Sequence, residues 1–174
     1  MNLAINLAKR NTGMTGVNPS VGCVIISKDQ EILSVGNTGT NGSPHAEKIA
    51  LKDLEISEDL TLYSTLEPCF HSGKNPPCVD EIINSGIKNV VISCLDKNPL
   101  VNGKGFKKLK NSGINIINGV LKKETEDLYD DFFKRICTGI PGINLKIASS
   151  ADGKTALKNG KSKWITNKLS RNYG

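Results

Sequence analysis

The sequence of 174 residues has few aromatic side chains, few histidines and no long apolar run. No stretch approaches the ~18–20 consecutive apolar residues that a membrane-spanning helix needs, so we expect no membrane partner. The first residues lack the apolar segment of a secretory signal peptide, which predicts a cytoplasmic protein. Hydrophobic residues make up 37% of the chain and charged residues 23%, which is typical of a folded globular domain.

Basic residues outnumber acidic residues by 23 to 17, which gives a formal net charge of +6. Such a surplus can indicate nucleic-acid binding. The lysines are spread along the whole chain, however, and aromatic residues at 5% provide no stacking surface for bases. We therefore predict no nucleic-acid partner. Binding of a generic oligonucleotide that weakens with salt would support the opposite interpretation.

The five cysteines are an odd number, which argues against a disulfide framework. Cys23 and Cys94 lie in apolar runs, where we expect small buried core residues. Cys69 and Cys78 differ, because both belong to "LEPCFHSGKNPPC" (66–78), whose prolines and glycine predict a loop. Thiols in a loop need a reason other than packing.

The hydrophobic pattern predicts a hairpin followed by strands that alternate with helices. This order is typical of an α/β fold in which a mixed or parallel sheet carries helices on both faces. Strands are predicted over 20–27, 32–37, 60–66, 88–95 and 114–120. Helices are predicted over 3–11, 45–54, 77–86, 105–113 and 121–139.

The chain changes character at about residue 140. We expect residues 1–139 to form one domain with its own core. The segment 140–174 has the pattern of a strand, a glycine turn, a loop and the start of a helix. About thirty residues cannot form an independent core, so this tail is either an appendage or the beginning of a second domain.

Both histidines of the chain lie in Pro/Gly-rich stretches, His45 in "GSPHAE" and His71 in the cysteine loop. His45, Cys69 and Cys78 form a His/Cys/Cys set, and zinc prefers imidazole and thiolate ligands. A catalytic zinc keeps three protein ligands and leaves the fourth position to water. We expect each of the three residues at or just before a helix start, where the helix dipole and free N–H groups stabilise thiolates.

Glu47 follows His45 by two residues, so its side chain can face the reacting water without binding the metal. Zinc lowers the pKa of a water ligand toward ~7, and a neighbouring carboxylate can move the proton to a leaving group. An H-x-E motif followed by P-C and a second cysteine is typical of zinc deaminases. Here eight residues separate Cys69 from Cys78, where the common deaminase motif has two.

Two other interpretations of the same residues stay open. His71 can act as a fourth ligand beside His45, Cys69 and Cys78, which would give a closed structural zinc module without catalysis. The set can also serve a deaminase for another nucleobase or nucleotide. Replacing Glu47 with Gln separates the first alternative from catalysis, because a structural site would lose nothing.

Several motifs together resemble the bifunctional riboflavin-biosynthesis deaminase/reductase family, and the resemblance runs over essentially the whole chain. The long P-C-x-H-x-G-x-x-P-P-C loop distinguishes this family from cytidine, deoxycytidylate, guanine and tRNA-adenosine deaminases, which use the short C-x-x-C. The segments that carry the resemblance include "NPSVGCVI" (18–25), "GSPHAE" (42–47), "TLEPCFHSGKNPPC" (65–78) and "LKIASSADGKTA" (145–156).

The resemblance implies a cytidine-deaminase-like three-layer α/β/α sandwich with a mixed central sheet and one zinc ion per chain. The implied reaction is hydrolytic removal of the 2-amino group of 2,5-diamino-6-(5-phosphoribosylamino)pyrimidin-4-one, with release of ammonia. It puts His45, Cys69 and Cys78 on zinc and makes Glu47 the proton shuttle. By analogy with the family we expect a homodimer or a larger assembly.

The resemblance also implies substrate contacts, namely Asn18, His71, Lys74, Asp96 and Asn98. The backbone N–H groups of Ala46 and Cys69, at expected helix starts, can in addition hold a ring carbonyl and the attacking hydroxide. Thr38 stands where the family usually has a histidine, so we expect that contact to be lost or replaced by a hydroxyl. In this resemblance, 140–174 corresponds to the start of the reductase domain. NADPH binding and reduction belong only to a full-length reductase domain.

Overall fold

The computed structural model of the protein describes residues 1–55, 59–71, 76–99, 101–143 and 145–172. The chain divides into two compact units, Met1–Gly142 and Ile143–Gly174. The first unit contains a five-stranded sheet with five α-helices, and the second contains one short helix. Among the described residues, no helix is both long and apolar enough to cross a bilayer.

The sheet is mixed, as the sequence pattern predicts. Its strand order is β2-β1-β3-β4-β5. The first three strands in this order are antiparallel neighbours, whereas β3, β4 and β5 run parallel. The strands are β1 (Gly22–Ile26), β2 (Ile32–Asn37), β3 (Thr61–Leu66), β4 (Asn89–Cys94) and β5 (Asn115–Asn118).

Helices cover both faces of the sheet and make it a three-layer α/β/α sandwich. The first and fifth helices pack on one face, and the second, third and fourth pack on the other. A short 3₁₀ turn spans Thr40–Gly42. The helices are α1 (Asn2–Arg10), α2 (Ala46–Leu51), α3 (Cys78–Ser85), α4 (Lys104–Asn111), α5 (Lys122–Thr138) and α6 (Lys168–Asn172).

The core follows from the strand period of two, which sends alternate side chains to opposite faces. On β3, Leu62 points into the main cluster with Ile82 of α3 and Ile92 of β4. Thr65, three residues further along β3, points to the other face toward α5, where its hydroxyl lies 2.6 Å from the hydroxyl of Tyr129. Burial of apolar side chains on both faces therefore fixes the sheet between its helix layers.

The parallel pairing of β3 with β4 positions the functional residues. Leu66 is in register with Cys94, so the segments that follow the two strands leave the sheet side by side. Crevices at the carboxyl ends of such strands are the usual ligand sites of open α/β sheets. The segments after β3 and β4 carry Cys69, His71 and Asp96.

The strand that the sequence predicts at the beginning of the tail does not form in the described part of residues 145–172. A strand needs a partner for its backbone N–H and C=O groups, and no strand among the described residues of this unit provides one. The glycine turn does form: the N–H of Ser150 donates to the carbonyl of Lys154 at 2.9 Å, with Gly153 at φ +78°. Helix α6 follows it.

Candidate metal and active site

Three chemically matched side chains converge where α2 and α3 begin. His45 is the residue directly before α2, at its N-cap position, and Cys78 is the first residue of α3. Cys69 is not at a helix start along the chain, which corrects the sequence-based expectation, because residues 70 and 71 that follow it are not helical and α3 begins only at Cys78. Its Sγ nevertheless accepts the N–H of Cys78 at 3.3 Å, so it lies at the amino end of α3 in space.

The donor atoms of these residues have the spacing of a zinc site. Nδ1 of His45 lies 3.3 Å from Sγ of Cys78 and 3.6 Å from Sγ of Cys69. The three ligand atoms all lie within 4.8 Å of one another. A tetrahedral zinc with its usual bond lengths holds nitrogen and sulfur ligands about 3.6 Å apart. The residues therefore fit the metal in both chemistry and separation.

The two thiols are electrostatically unequal. The hydrogen bond from Cys78 lowers the pKa of Cys69 to about 4, and the contacts with His45 and the backbone N–H of Cys78 act in the same direction. The same hydrogen bond raises the pKa of Cys78, and burial adds to it. Contact with Cys69 also raises the pKa of His45. Zinc binds cysteines as thiolates, so metal binding must displace a proton from Cys78, whose pKa is raised.

Glu47 lies beside this set without belonging to it. Its side chain is 3% exposed, and the hydroxyl of Ser64 donates to its Oε1 at 3.3 Å. Burial raises the pKa of the Glu47 carboxyl. A carboxyl whose pKa moves toward neutrality is suited to both accepting and returning a proton.

A cavity of about 560 Å³ brings the three donors together with most of the expected substrate contacts. Its volume is that of a site for a small organic ligand. Ala46 is fully buried in the first turn of α2 and is not among the lining residues. Lys74 lies outside the described residues. The expected residues that line the cavity are Asn18, Thr38, Glu47, His71, Asp96 and Asn98.

The wall formed by Asn18 and Thr38 is held by backbone contacts. Nδ2 of Asn18 donates to the carbonyl of Gly42 at 3.2 Å. Gly42 has φ +83°, and a Cβ there would lie 2.2 Å from that nitrogen, so only glycine fits. The Thr38 hydroxyl accepts the N–H of Val21 at 2.8 Å. Thr38 thus has a structural bond of its own, and its contact with substrate stays a prediction.

The opposite wall carries Asp96 and Asn98, directly after β4. The N–H of Asn98 donates to Oδ1 of Asp96 at 2.8 Å, which turns the loop tightly. Asp96 is 8% exposed, and burial raises the pKa of its carboxyl. A buried carboxylate on a cavity wall can accept hydrogen bonds from hydroxyl groups of a ligand.

Replacing Asp96 with Asn is expected to raise the free energy of unfolding relative to wild type, and this difference should grow as pH rises. Because the folded-state pKa is above the ordinary Asp value of 3.8, the native state holds the proton longer than the unfolded state. The free energy of unfolding of the wild type therefore falls as pH rises from the ordinary Asp value to the raised pKa of Asp96, and an uncharged Asn avoids that loss. Urea unfolding from pH 4 to 7 measures the difference. A variant that loses stability relative to wild type over this range would contradict the assignment.

Two further features of the cavity were not foreseen from the sequence. Glu67, directly after β3, lines it and is 3% exposed. Arg135 of α5 also lines it, and its Nη2 donates to the carbonyl of Val17 at 2.5 Å, next to Asn18. Nothing local in the sequence indicates the bonds of Glu67 to Gly103 and Phe106, 36 and 39 residues further along the chain. Nothing local in the sequence indicates the contact between Arg135 and Val17.

The closed four-ligand site loses support from this geometry. Among the described residues, the group that can hold a metal consists of His45, Cys69 and Cys78. His71 lines the cavity but its side chain is exposed and is not part of that group. An open site with one position left for a reactant agrees better with this arrangement.

Residues 1–94 match the family model described as the cytidine and deoxycytidylate deaminase zinc-binding region. The chain is 49% identical over 172 residues to the riboflavin biosynthesis protein RibD of Aquifex aeolicus, covering 98% of this chain and 48% of that protein. It is 47% identical over 142 residues to the diaminohydroxyphosphoribosylamino-pyrimidine deaminase of Buchnera aphidicola subsp. Schizaphis graminum. That match covers 81% of this chain and 96% of the relative.

Among solved structures, the chain is similar to a Thermotoga maritima protein, the diaminohydroxyphosphoribosylaminopyrimidine deaminase/5-amino-6-(5-phosphoribosylamino)uracil reductase. The TM-score is 0.90 at 44% identity, covering 99% of this chain and 50% of that one. The chain thus spans about half the length of the Aquifex and Thermotoga proteins. It spans nearly all of the Buchnera deaminase.

Proposed function

Because the chain belongs to the diaminohydroxyphosphoribosylamino-pyrimidine deaminase family, within the zinc-binding cytidine and deoxycytidylate deaminases, we propose that it deaminates a riboflavin precursor. The substrate is 2,5-diamino-6-(5-phosphoribosylamino)pyrimidin-4-one, which loses its 2-amino group to water and releases ammonia. The observation that carries the proposal is the convergence of His45, Cys69 and Cys78 with buried Glu47 on one cavity.

The chain's own residues divide the work between metal binding and proton transfer. His45, Cys69 and Cys78 hold one zinc ion. Zinc at this position supplies Lewis acidity that makes water an effective nucleophile near neutral pH. Glu47 takes a proton from the attacking water and passes it to the adjacent ring nitrogen as the C–O bond forms. It then carries the remaining hydroxyl proton to the departing amine, so that the C–N bond breaks, the ring carbonyl forms and ammonia leaves.

The cavity walls hold the substrate in this proposal. Asn18 offers both a donor and an acceptor to the ring edge or ribose. Asp96 and Asn98 receive the ribose hydroxyls, and their position on one wall supports this role. His71 and Lys74 bind the phosphoribosyl arm, for which a lysine is a flexible cation.

We assign residues 1–139 to the deaminase domain and 140–174 to the beginning of a reductase domain. The separate compact unit from Ile143 onward supports the assignment. So do the apolar side chains of Ile143, Leu145 and Ile147, which are 86%, 82% and 63% exposed and would be covered in a larger domain. NADPH binding and reduction are properties that we assign to a full reductase domain and not to these residues.

The proposal includes a cytoplasmic location and self-association. All five cysteines are free thiols, and thiolates at a zinc site persist best in a reducing compartment. A homodimer or a larger assembly stays a prediction by analogy with the family, which sedimentation of the purified protein decides.

Ammonia release by the purified zinc protein from a panel of substrates tests the proposal. We expect release from the diaminopyrimidinone ribosyl phosphate and not from cytidine, deoxycytidylate or guanine. The same diaminopyrimidinone without its phosphate is the matched control, and we expect a KM increase of about tenfold or more for it. Efficient release from another base would keep the zinc chemistry and refute the substrate assignment.

A further inference from the structure

Glu67 is a buried carboxylate that accepts hydrogen bonds from three backbone N–H groups of the described residues. Its Oε1 accepts the N–H of Phe106 at 3.0 Å, and its Oε2 accepts those of Gly103 at 2.9 Å and Asp96 at 3.1 Å. No ion pair joins it to a cation in the part of the chain that the structure describes. Three N–H donors can stabilise a buried carboxylate that has no cation beside it.

The three donors belong to two different elements. Asp96 lies just after β4, whereas Gly103 and Phe106 belong to the amino end of α4. Helix α4 has no capping side chain of its own and no acidic residue in its first turn. Glu67 therefore satisfies orphan N–H groups of α4 and complements its dipole from a different part of the chain.

The start of α4 also packs closely against the segment that carries Cys69. A Cβ at Gly105 would lie 2.4 Å from the carbonyl oxygen of Pro68 and 3.1 Å from Oε1 of Glu67. Helix α4 thus packs directly on the residue before Cys69. The Glu67 carboxylate is the point at which the ends of β3 and β4 and the start of α4 are joined.

We propose that Glu67 is a positioning residue for substrate binding, which fixes the backbone at Asp96 and at Gly103 and so sets the wall that carries Asp96 and Asn98. The proposal rests on the proposed function for the identity of the ligand. Glu67 does not contact the reacting atoms in this role. Its removal weakens recognition of the ribose and leaves proton transfer by Glu47 intact.

The test variant is Glu67→Gln, which keeps the side-chain volume but turns an NH₂ group toward at least one of the three N–H donors. We expect KM to rise about 10–100-fold, kcat to stay within about threefold, and zinc content to stay at one per chain. The amide protons of Asp96, Gly103 and Phe106 are expected to lose hydrogen-exchange protection. Glu124→Gln, which removes an exposed charge from the first turn of α5, is the matched control and should change none of these.

A double-mutant cycle with Asp96→Ala separates positioning from general destabilisation. If Glu67 acts through this wall, Glu67→Gln should raise KM by less than about threefold once the Asp96 side chain is gone. Additive effects on KM, a loss of zinc, or a fall in kcat at unchanged KM would each overturn the proposal. Should Glu67→Gln fail to fold, Glu67→Asp replaces it, because it keeps the charge on a shorter side chain. A raised KM together with lost protection of the three amide protons would support the proposal, and wild-type values of both would overturn it.

A failure of the positioning role of Glu67 can be distinguished from a failure of the proposed function. If wild-type protein does not turn over the substrate, the proposed function fails, while hydrogen exchange still tests Glu67. Retained protection of the three amides in Glu67→Gln would then refute the positioning role. Lost protection confined to these amides, with zinc still bound, would support it.

Discussion

Replacing Glu47 with Gln is expected to lower kcat for ammonia release by about 10²–10⁴-fold while one zinc ion stays bound. Gln has the size of Glu and can still accept the hydroxyl of Ser64, which donates at 3.3 Å in the wild-type protein. It cannot take up a proton at neutral pH, so transfer from water to the leaving amine loses its carrier. KM should change little, because the loss falls on a step after binding.

Steady-state kinetics and metal analysis of the same preparation measure both quantities. Glu81→Gln is the matched control, since Glu81 is a neighbouring acid on α3 that pairs with Lys48 at 3.0 Å. It should keep kcat within about twofold, because this partly buried ion pair has no part in the proton transfer assigned to Glu47. A Glu47→Gln protein that retains wild-type kcat would contradict the shuttle and favour a structural metal site.

Replacing His45 with Ala is expected to weaken zinc binding by more than about 100-fold and to abolish detectable deamination. His45 supplies the nitrogen donor of the three-residue group, 3.3 Å and 3.6 Å from the two sulfur atoms. Without it only the thiols of Cys69 and Cys78 remain, which leaves zinc two open positions that the site does not shape.

His71→Ala is the matched control in the same cavity, because it removes the chain's other imidazole. We expect His71→Ala to keep one zinc per chain and to raise KM, as a residue of the substrate arm should. Zinc titration of the two metal-free variants against a competing chelator measures the difference. Equal loss of zinc from both would indicate a closed four-ligand site and would contradict the open one.

The layout of the sheet was predictable because its signals are local. The β-branched run before Cys94 predicts a buried strand, and the apolar period within Asn2–Arg10 predicts a helix. The hairpin β1–β2 follows from two strands separated by a short polar turn. The predicted strand in the tail was wrong, because strand formation depends on a partner and not on the segment alone.

The metal set could also be predicted, since H-x-E and P-C are short motifs and the structure brings their side chains together. The roles of Glu67 and Arg135 could not, because each depends on backbone groups far away in the sequence. Glu67 bonds to Phe106, 39 residues on, and Arg135 reaches Val17 across 118 residues. At Thr38 we expected the family's substrate contact to be lost or replaced by a hydroxyl; that hydroxyl accepts the N–H of Val21, and its contact with substrate stays a prediction.

Conversion of the diaminopyrimidinone ribosyl phosphate in oxygen-18 water tests the central claim most directly. The account predicts one molecule of ammonia per turnover and one oxygen-18 atom at the former amino carbon, with both lost on chelation and restored by zinc. No conversion by folded protein that holds one zinc per chain would contradict the account. Ammonia release that persists without zinc would contradict it as well.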